Sequence, residues 1–367
     1  MKKDWTYKKL GEVCDINYGT RVVQKKDGGS IYPVYGGGGA TFRMDTYNRE
    51  DCLVVARFAM SPKCTRIVKG KFFLNDSGLT VDAHEELYQD YLNWHIISLN
   101  DEIYQTAKGA AQKNLDVKAF TSLKIAIPPL SIQRSIIAEL DLLHSVISKK
   151  KEQLRELDNL AQSLFYQMFG DPITNPMGWE VKKLGEVGTF ERGKGISKSD
   201  FVDDGVPCVH YGQLHTAFGA YTTKHLACIP ESLIDNPRIA HPGDVLLALT
   251  SEDVEGSCKS TAWYGDYDII VGSDAAVYHH NQDGMYISFY TRTEAFYKQK
   301  EKYAHGFKVT HISTKDIETF TIPLPPLSLQ QSFATKVSAI EAQKQAITLS
   351  IKETEALLAQ RMDTYFC

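Results

Sequence analysis

The sequence lacks the features that define several large classes of protein. Its seven cysteines form no Cys-x-x-Cys pair, and an odd, scattered set is typical of reduced thiols in a cytoplasm rather than of a disulfide framework or a zinc site. No apolar run approaches the roughly 20 residues that a membrane span requires, and the first residues carry no apolar stretch like that of a signal peptide. We therefore expect a cytoplasmic protein.

The composition excludes a disordered chain. Of the 367 residues, 43% are hydrophobic and 23% are charged, which allows a large buried core. The length predicts two or three domains. The net charge of −4 argues mildly against nucleic-acid binding, although a whole-chain charge can hide a local basic face.

An internal repeat decides how the chain is divided. Residues 5–13 (WTYKKLGEV) recur as residues 179–187 (WEVKKLGEV), at an offset of 174. Residues 128–133 (PPLSIQ) recur as residues 325–330 (PPLSLQ), at an offset of 197, so the second copy holds 23 more residues (197 − 174) in its middle. Matching ends with different middles indicate a duplicated frame that holds two diverged inserts.

A long segment with neither proline nor glycine follows each Pro-Pro-Leu and predicts a long helix. Apolar residues recur there at alternating spacings of four and three, with Lys150, Lys344, Thr354 and Arg361 as breaks. A sustained stripe of this kind predicts a coiled coil; two separate amphipathic helices, each packed on a globular core, are the alternative. The predicted coiled-coil core consists of Ile136, Leu140, Leu143, Ile147, Leu154, Leu157, Leu164, Phe333, Val337, Ile340, Ile347, Ile351 and Leu358.

The remaining segments contain glycine, tyrosine and short β-branched runs, which predict short strands joined by irregular loops. We therefore divide the chain into a globular domain at 1–127, a long helix at 128–169, a second globular domain at 170–324 and a second long helix at 325–367. The predicted fold class is α+β. Two globular mixed α/β domains are separated by two long helices, which form an antiparallel coiled coil, and the internal repeat is pseudo-two-fold.

Several catalytic signals are present only in part. Residues 188–195 (GTFERGKG) resemble a phosphate-binding loop, but Gly195 stands where the metal-binding Ser or Thr is required. Asp171, Glu180 and Lys182 resemble a magnesium-dependent nuclease set, yet the first copy lacks the glutamate. The eleven histidines show no metal-ligand spacing. The chain is therefore predicted to be non-catalytic and to hold no metal.

The duplicated frame resembles the specificity subunits of type I restriction–modification enzymes. The resemblance covers nearly the whole chain and rests on the repeated Trp-x-x-Lys-Lys-Leu-Gly-Glu-Val opening, the repeated Pro-Pro-Leu-Ser-x-Gln, the two long helices and the unequal inserts. Residues 32–36 (YPVYG) and 243–246 (GDVL) are also similar to stretches that recur in the variable domains of that family.

The resemblance implies a non-catalytic, DNA-reading subunit. The two variable segments would be target recognition domains, each reading one half of a split, asymmetric site on double-stranded DNA, and the helices would set the gap between the halves. The helices would also dock two methylation subunits carrying S-adenosylmethionine, and restriction subunits with ATP and Mg could join them. The chain itself would hold no cofactor and would act in a prokaryotic cytoplasm, in the defence against foreign DNA.

Two alternatives stay open. The chain could be a coiled-coil scaffold whose heads bind proteins, or the specificity subunit of a methylation-only or nuclease-fused relative of the same system. The charge is a point of conflict, since residues 1–127 contain 18 Lys and Arg against 15 Asp and Glu, whereas residues 170–324 contain 14 against 21. Because phosphate contacts dominate DNA affinity, the second domain needs a local basic face, phosphate contacts from partner subunits, or both.

Candidate DNA-reading residues are polar side chains near the glycine-rich or insert segments. Arg reads guanine and Asn or Gln reads adenine, while Lys, Ser and Thr mostly contact the backbone. In the first domain the candidates are Arg21, Arg43, Arg57, Lys63, Arg66, Lys108, Gln112, Lys113 and Asn114. In the second domain they are Arg192, Lys194, Lys198, His210, Tyr211, Gln213, Thr250, Ser251, Lys259, Lys308 and His311.

The repeat also pairs residues between the two domains. The offset of 197 pairs Gln112 with Val309 and Asn114 with His311. If the acidic residues that precede two apolar runs are aligned, Arg57 is paired with Thr250. Different residue types at equivalent loop positions are what two domains with different targets require.

Gln133 and Gln330 begin the equivalent first turns of the two long helices. Their side chains either cap the helix starts or contact a partner or the opposite head. Six apolar residues lie off the main stripe, where they extend the two-helix core or meet a partner subunit: Leu142, Leu160, Phe165, Ala339, Leu357 and Phe366.

Overall fold

The computed structural model describes residues 5–109, 112–303 and 310–366. The chain divides into two compact units, Met1–Glu152 with Ile347–Cys367, and Gln153–Ala346. Each unit contains one globular head and one part of each long helix. In the described ranges, no helix is both long and apolar enough to cross a membrane.

The head of the first unit is built on a mixed sheet. Its strands are β1 (Thr6–Lys9), β2 (Cys14–Tyr18), β3 (Tyr32–Tyr35), β4 (Ala40–Met44), β5 (Arg49–Ala56), β6 (Thr65–Leu74), β7 (Gly78–Ala83) and β8 (Lys124–Ile127). Its short helices are α1 (Leu10–Val13), α2 (Gln24–Asp27), α3 (Gln89–Ser98), α4 (Asn100–Thr106) and α5 (Val117–Thr121). Six strands pair in the order β2-β7-β5-β6-β3-β4, and β1 pairs with β8. The core lies between this sheet and α3 to α5, around buried Leu53, Tyr91 and Phe120.

The second unit begins within the long helix α6 (Leu130–Phe169), and its head contains more and shorter strands. They are β9 (Glu180–Lys183), β10 (Gly188–Arg192), β11 (Val206–Val209), β12 (Tyr221–Thr222), β13 (Ala227–Ile229), β14 (Ile239–Ala240), β15 (Val245–Ala248), β16 (Thr250–Ser251), β17 (Ser260–Trp263), β18 (Ile269–Val271), β19 (Ala275–His280), β20 (Thr310–His311) and β21 (Thr321–Leu324). The helices are α7 (Leu184–Val187), α8 (Tyr211–Thr216), α9 (Gly284–Tyr290), α10 (Glu294–Lys300), α11 (Thr314–Glu318) and the long α12 (Leu327–Phe366). The sheets are β10-β19-β15-β17-β12 and β13-β11-β18-β14, with separate pairs β16-β20 and β21-β9.

The duplicated ends of the two copies form the same structure in each unit. Strand β1 pairs antiparallel with β8, and β9 pairs antiparallel with β21, in registers that reproduce the two sequence offsets. The amide of Leu10 donates to Leu123 O, and that of Leu184 donates to Phe320 O, both at 2.8 Å. The repeated sequence therefore forms a frame that closes each head at the start of its long helix.

The long helices α6 and α12 each contain 40 residues, so each is about 60 Å long at about 1.5 Å per residue. Each begins only after its Pro-Pro pair, because a residue that precedes proline is restricted to extended conformations. Helix α6 is followed by Gly170, whose φ of +77° places it in the left-handed region that glycine adopts just after helix C-termini.

In the first unit, the segments of α6 and α12 contact each other through polar pairs. Glu139 forms an ion pair with Arg361. The ammonium of Lys150 donates to Ser350 Oγ at 2.5 Å. Residues later in α6 contact residues earlier in α12, so the two segments are antiparallel. Lys150, which breaks the apolar stripe in the sequence, is thus bonded to the facing helix.

In the second unit, the two helix segments are again antiparallel. Lys344 Nζ lies 2.6 Å from Asp158 Oδ1, and the ring centroids of Phe165 and Phe333 are 5.7 Å apart. Lys344, another break in the stripe, is therefore paired across the helices. All thirteen residues predicted to form the helix-pair core are buried or half-buried in their own units.

Gln133 and Gln330 attach each long helix to its own head. Both side chains are fully buried. Gln133 accepts a hydrogen bond from the amide of Tyr88 at 2.9 Å, and Gln330 accepts one from the amide of Asp283 at 3.0 Å. Each Nε2 also donates to the carbonyl of the proline five residues earlier. These contacts join each long helix to its own head and do not cap the first amides of the helix, and the buried side chains are closed to a partner subunit.

Aromatic residues at the ends of the long helices pack on the heads. Phe169 ends α6, and its ring centroid lies 4.8 Å from that of Tyr286. Phe366 ends α12, and its centroid lies 5.6 Å from that of Tyr91. Neither residue belongs to the predicted apolar stripe. Phe366 packs on the head, whereas Phe169 contacts both the head and the facing helix, since its centroid also lies 5.2 Å from that of Phe333.

Candidate nucleic-acid interface

In the first unit, predicted DNA-reading residues meet where β5 ends. The amide of Leu115 donates to Arg57 O at 2.9 Å, which attaches the turn after β5 to a later loop. Within that loop, Lys108 and Asn114 exchange backbone hydrogen bonds of 2.8 and 2.7 Å. The structure thus joins two segments that lie far apart in the sequence. We call the following residues the first loop cluster: Arg57, Lys63, Arg66, Lys108, Gln112, Lys113 and Asn114.

Asn114 fixes the turn that follows Arg57. Its Oδ1 accepts a hydrogen bond from the amide of Ala59 at 3.2 Å. Ala59 has a φ of +48°, an uncommon conformation for a residue with a Cβ, which persists where the surroundings determine it. The amide of Met60 donates to Lys113 O at 2.9 Å. Asn114 therefore has a positioning role in addition to its predicted contact with a base.

Arg66 holds the glycine-rich loop. Its guanidinium donates to Gly37 O at 2.5 Å and also to Gly38 O, and burial lowers its pKa below the usual range. A Cβ on Gly37 would lie 2.6 Å from Phe58 O, whereas a Cβ on Gly38 would meet no atom within 4 Å. Gly37 is thus required by a close backbone approach. The Arg66 side chain is largely committed to its own head.

The other basic residues of the first loop cluster are more exposed. Lys108 forms an ion pair with Asp116 at 2.6 Å. Lys113 Nζ lies 4.1 Å from the centroid of the Tyr104 ring. Lys63 is exposed and close to Arg66, which donates to its carbonyl at 3.4 Å. Lys63 is thus exposed, as a residue that contacts phosphates requires, while Lys108 is paired with a carboxylate and Lys113 donates to Tyr104 O at 3.4 Å.

Two predicted residues of the first unit lie apart from this cluster. Arg43 is on the edge strand β4 and donates to Ile31 O at 2.6 Å. Arg21 is exposed in the loop between β2 and α2. Sequence reasoning, in turn, missed Tyr18 and Phe58, whose rings lie against the Arg57 guanidinium. Tyr18 is distant in sequence, so only the fold reveals that contact.

In the second unit, the equivalent loops form a short antiparallel pair, β16 with β20. Thr250 Oγ1 lies 3.1 Å from His311 Nδ1, and His215 Nε2 lies 2.9 Å from Thr250 O. Lys259 donates to His215 O at 2.7 Å, and burial lowers the pKa of its ammonium. We call the following residues the second loop cluster: His210, Tyr211, Gln213, His215, Thr250, Ser251, Lys259 and His311.

His210 and Gln213 form the start of α8. Gln213 Oε1 accepts a hydrogen bond from the amide of His210 at 3.0 Å, and His210 Nδ1 accepts one from the amide of Gly212 at 3.2 Å. Burial lowers the pKa of His210, which favours the neutral ring. The rings of His210 and Tyr211 lie 4.5 Å apart. This side of the cluster is thus neutral and aromatic.

The remaining candidates of the second head are paired with carboxylates or undescribed. Arg192 lies 3.2 Å from Asp274 Oδ1, and Lys194 lies 3.4 Å from Asp235 Oδ2. Lys198 is exposed. Lys308 lies outside the described residues.

A cleft of about 1080 Å³ opens beside the second loop cluster, lined by Thr250, Ser251 and Lys259 among others. Glu252, Asp253, Glu255 and Glu294 also line it. The cationic residues of the cleft are turned inward, since Lys300 is only 4% exposed and donates to Glu255 O and Ser257 O. The acidic balance of the second head is therefore visible at its surface.

Of the predicted residue equivalences between the heads, one agrees with the structure and one is wrong, while Val309, the predicted equivalent of Gln112, lies outside the described residues. The amide of Leu115 donates to Arg57 O, and the amide of Ile312 donates to Leu249 O at 3.1 Å. Asn114 and His311, which precede these donors, are thus equivalent, as expected. Arg57, however, is equivalent to Leu249 rather than to Thr250, since these two carbonyls accept the equivalent hydrogen bonds. The prediction was wrong because it aligned the acidic residues before the strands and so missed a shift of one residue.

The loop at residues 188–195 uses its amides within the second head. The amides of Gly193 and Lys194 donate to the carbonyls of Ala275 and Val271, so the loop that resembles a phosphate-binding loop uses them internally. In the described part of the chain, no group of three or more His, Cys, Asp or Glu side chains is placed to hold a metal ion. Burial raises the pKa of Cys64 to about 11, which keeps this thiol protonated and unreactive.

Residues 2–159 and 176–354 match the model of the type I restriction modification DNA specificity domain. Because the match covers most of the chain, this protein belongs to the family of type I restriction–modification specificity subunits. The resemblance inferred from the duplicated frame is thereby confirmed.

Relatives and solved structures agree with this assignment. The type I restriction enzyme MjaVIII specificity subunit of Methanocaldococcus jannaschii is 23% identical over 318 residues, which cover 78% of this chain and 72% of that one. The EcoKI specificity subunit of Escherichia coli is 22% identical over 174 residues, 46% of this chain and 37% of that one.

Two solved structures share the fold. The S subunit of a type I restriction–modification system from M. genitalium superposes with a TM-score of 0.60 at 13% identity, covering 99% of this chain and 97% of that one. A chain from a study of complex assembly and conformational transition in the type I system gives 0.55 at 19% identity, covering 100% and 98%. At these identities the likeness concerns the fold alone.

Proposed function

We propose that this chain reads a bipartite, asymmetric DNA site, with one half-site for each loop cluster. The single observation that carries the proposal is that the same frame of strand pairs supports two loop clusters with different side chains. The strand pairs β1-β8 and β9-β21 have equivalent registers, yet Arg57 and Asn114 in one head correspond to Leu249 and His311 in the other. The two surfaces therefore offer different groups to DNA bases, since the buried Leu249 offers none where Arg57 stands in the first head.

The two long helices form an antiparallel coiled coil in this proposal, and a pseudo-two-fold axis relates the halves of the chain. The antiparallel helix contacts inside each unit support it, as do the equivalent buried glutamines, Gln133 and Gln330. A helix pair that is rigid over about 60 Å makes the gap between half-sites part of the specificity, which a flexible linker would not do.

The outer faces of the helices dock two methylation subunits, which supply S-adenosylmethionine, and restriction subunits bring ATP and Mg. In support, Leu142 and Leu160 on α6 are 64% and 51% exposed, and Leu349 and Leu357 on α12 are 59% and 43% exposed. Exposed apolar side chains on otherwise polar helices are typical of protein contact sites. The chain itself contributes recognition and no catalysis.

The partners also supply phosphate contacts for the second head. Its carboxylates line the cleft beside the second loop cluster, and Lys259 and Lys300 donate to carbonyls of their own head. Such a head gains little affinity from phosphates by itself, since that affinity comes from Lys and Arg that replace counterions.

A single-molecule map of methylated adenine in the host genome, with and without this gene, tests the proposal. We expect one split motif with a fixed gap to disappear when the gene is removed and to return when it is restored. An unchanged map in cells that contain the assembled complex would overturn the proposal.

A further inference from the structure

Arg57 is held in place by two aromatic rings. Its Cζ atom lies 4.7 Å from the centroid of the Tyr18 ring and 4.6 Å from that of the Phe58 ring. Both rings reach the surface, with Tyr18 46% and Phe58 38% exposed. Stacking of this kind fixes the plane of a guanidinium by cation–π attraction while its N–H groups remain accessible.

The N–H groups of Arg57 have no acceptor in the part of the chain that the structure describes. Other arginines of the first head are hydrogen-bonded within it. Arg66 donates to Gly37 O and Gly38 O. Arg43 donates to Ile31 O. An arginine that is already oriented loses less conformational freedom when it binds, so its five donors are prepared for an external acceptor.

The backbone at Arg57 is fixed as well. Its amide donates to Ser77 O at 2.8 Å, and its carbonyl accepts from the amide of Leu115 at 2.9 Å. The next turn passes through Ala59, which Asn114 holds in the left-handed region. Both the main chain and the side chain of Arg57 are therefore positioned before any ligand arrives.

We propose that Arg57 reads a guanine in the half-site of the first head, with Tyr18 and Phe58 as positioning residues. This inference rests on the proposed function and deepens it. Guanine presents N7 and O6 as paired acceptors in the major groove, and the fork of an arginine matches them with two hydrogen bonds. A phosphate needs only positive charge, which Lys63 and Lys113 already present nearby.

The second head has no such reader at the equivalent position. There the residue is Leu249, which is fully buried and offers no side-chain donor. The guanine contact belongs to the first head, and it makes the two half-sites chemically different.

The test compares Arg57→Gln with Lys113→Gln in the complex of the full chain and its copurified methylation subunits. Each complex methylates unmethylated host DNA, and methylated adenine is mapped. We expect Arg57→Gln to lower the preference for guanine at one position of one half-site by about 10- to 100-fold. Lys113→Gln should weaken all sequences alike and reduce the slope of log affinity against log salt by about 1.

Ring variants test the positioning role. Tyr18→Ala should lower the same guanine preference by about 2- to 5-fold, and Tyr18→Phe, which keeps the ring, should restore it. Lys71→Gln is the matched control, because Lys71 also lies over a ring, 4.6 Å from the Tyr47 centroid, but outside the first loop cluster. It should leave the preference unchanged.

The inference fails if Arg57→Gln weakens all sequences equally, which would make Arg57 a phosphate contact, or leaves the preference at every position unchanged. Thermal unfolding of the variant confirms that it is folded. If the wild-type complex itself methylates no split motif, the proposed function fails first. If the wild type has its motif and Arg57→Gln keeps it, only the role of Arg57 is wrong.

Discussion

The two loop clusters stand on the same frame and differ in where their cations point. In the first cluster, Lys63 is exposed and Arg57 lies against two rings that reach the surface, while Lys113 donates to Tyr104 O at 3.4 Å. In the second, Lys259 and the nearby Lys300 donate to carbonyls of their own head. The frame therefore fixes where each surface lies, and the inserts decide its chemistry. The first surface suits phosphates and guanine, whereas the second offers mainly neutral hydrogen-bonding groups.

The largest expected difference between the units concerns the ends of the long helices. Phe165 is fully buried and contacts the rings of Phe169 and Phe333, whereas its equivalent in the first unit, Met362, is half-buried. Phe165→Ala should lower the free energy of unfolding of the second unit by about 3–5 kcal/mol, because it leaves a cavity in an aromatic core. Met362→Ala should lower the free energy of unfolding of the first unit by a smaller amount. Hydrogen exchange resolved by unit measures both losses, and equal losses would contradict the comparison.

Substitution of the two buried glutamines should destabilise the two units to a similar extent. Gln133→Leu and Gln330→Leu each leave a half-buried residue, Tyr88 or Asp283, without the acceptor of its backbone amide. We expect each change to destabilise its own unit by about 1–3 kcal/mol. Urea unfolding, with hydrogen exchange assigning the loss to a unit, provides the measurement. A large effect of one change and none of the other would refute the common frame.

A smaller difference should appear with pH. His95 in the first unit is only 1% exposed, and burial lowers its pKa to about 3, whereas Tyr290 occupies the equivalent place in the second unit. The unfolded chain binds a proton at His95 near pH 6.5 while the folded chain does not, so stability is lost as pH falls below about 6.5. Between about pH 7 and pH 5.5 the loss should be about 1 kcal/mol.

The variant His95→Phe isolates this contribution. It keeps a ring to stack on Phe366, whose centroid lies 4.6 Å from that of His95, and it removes the titrating group. In urea unfolding, the free energy of unfolding of the variant should rise relative to that of the wild type by about 1 kcal/mol between about pH 7 and pH 5.5. An advantage that does not change with pH would show that His95 is not the group responsible.

The duplicated frame could be predicted from the sequence because its segments are repeated there. The offsets of 174 and 197 reappear as strand registers, and the Pro-Pro pairs lie just before α6 and α12. The apolar stripe likewise selected residues that are buried, because helical spacing places them on one face. The four-segment domain division and the DNA-contact residues stay predictions.

Other parts of the site depend on contacts that no local pattern encodes. Nothing near Arg57 in the sequence indicates Tyr18, which β2 brings against it. The commitment of Arg66 to the glycine-rich loop likewise follows from the sheet order. The mistaken pairing of Arg57 with Thr250 came from aligning single acidic residues, whereas backbone hydrogen bonds define the true equivalence with Leu249.

The most direct test of the central claim compares one variant from each loop cluster. Arg57→Gln and His311→Ala are made separately in the full chain, and the methylated-adenine motif of each complex is mapped. We expect Arg57→Gln to relax one half of the split motif and His311→Ala to relax the other half, with the gap unchanged. A variant that relaxes both halves, or two variants that relax the same half, would contradict the central claim.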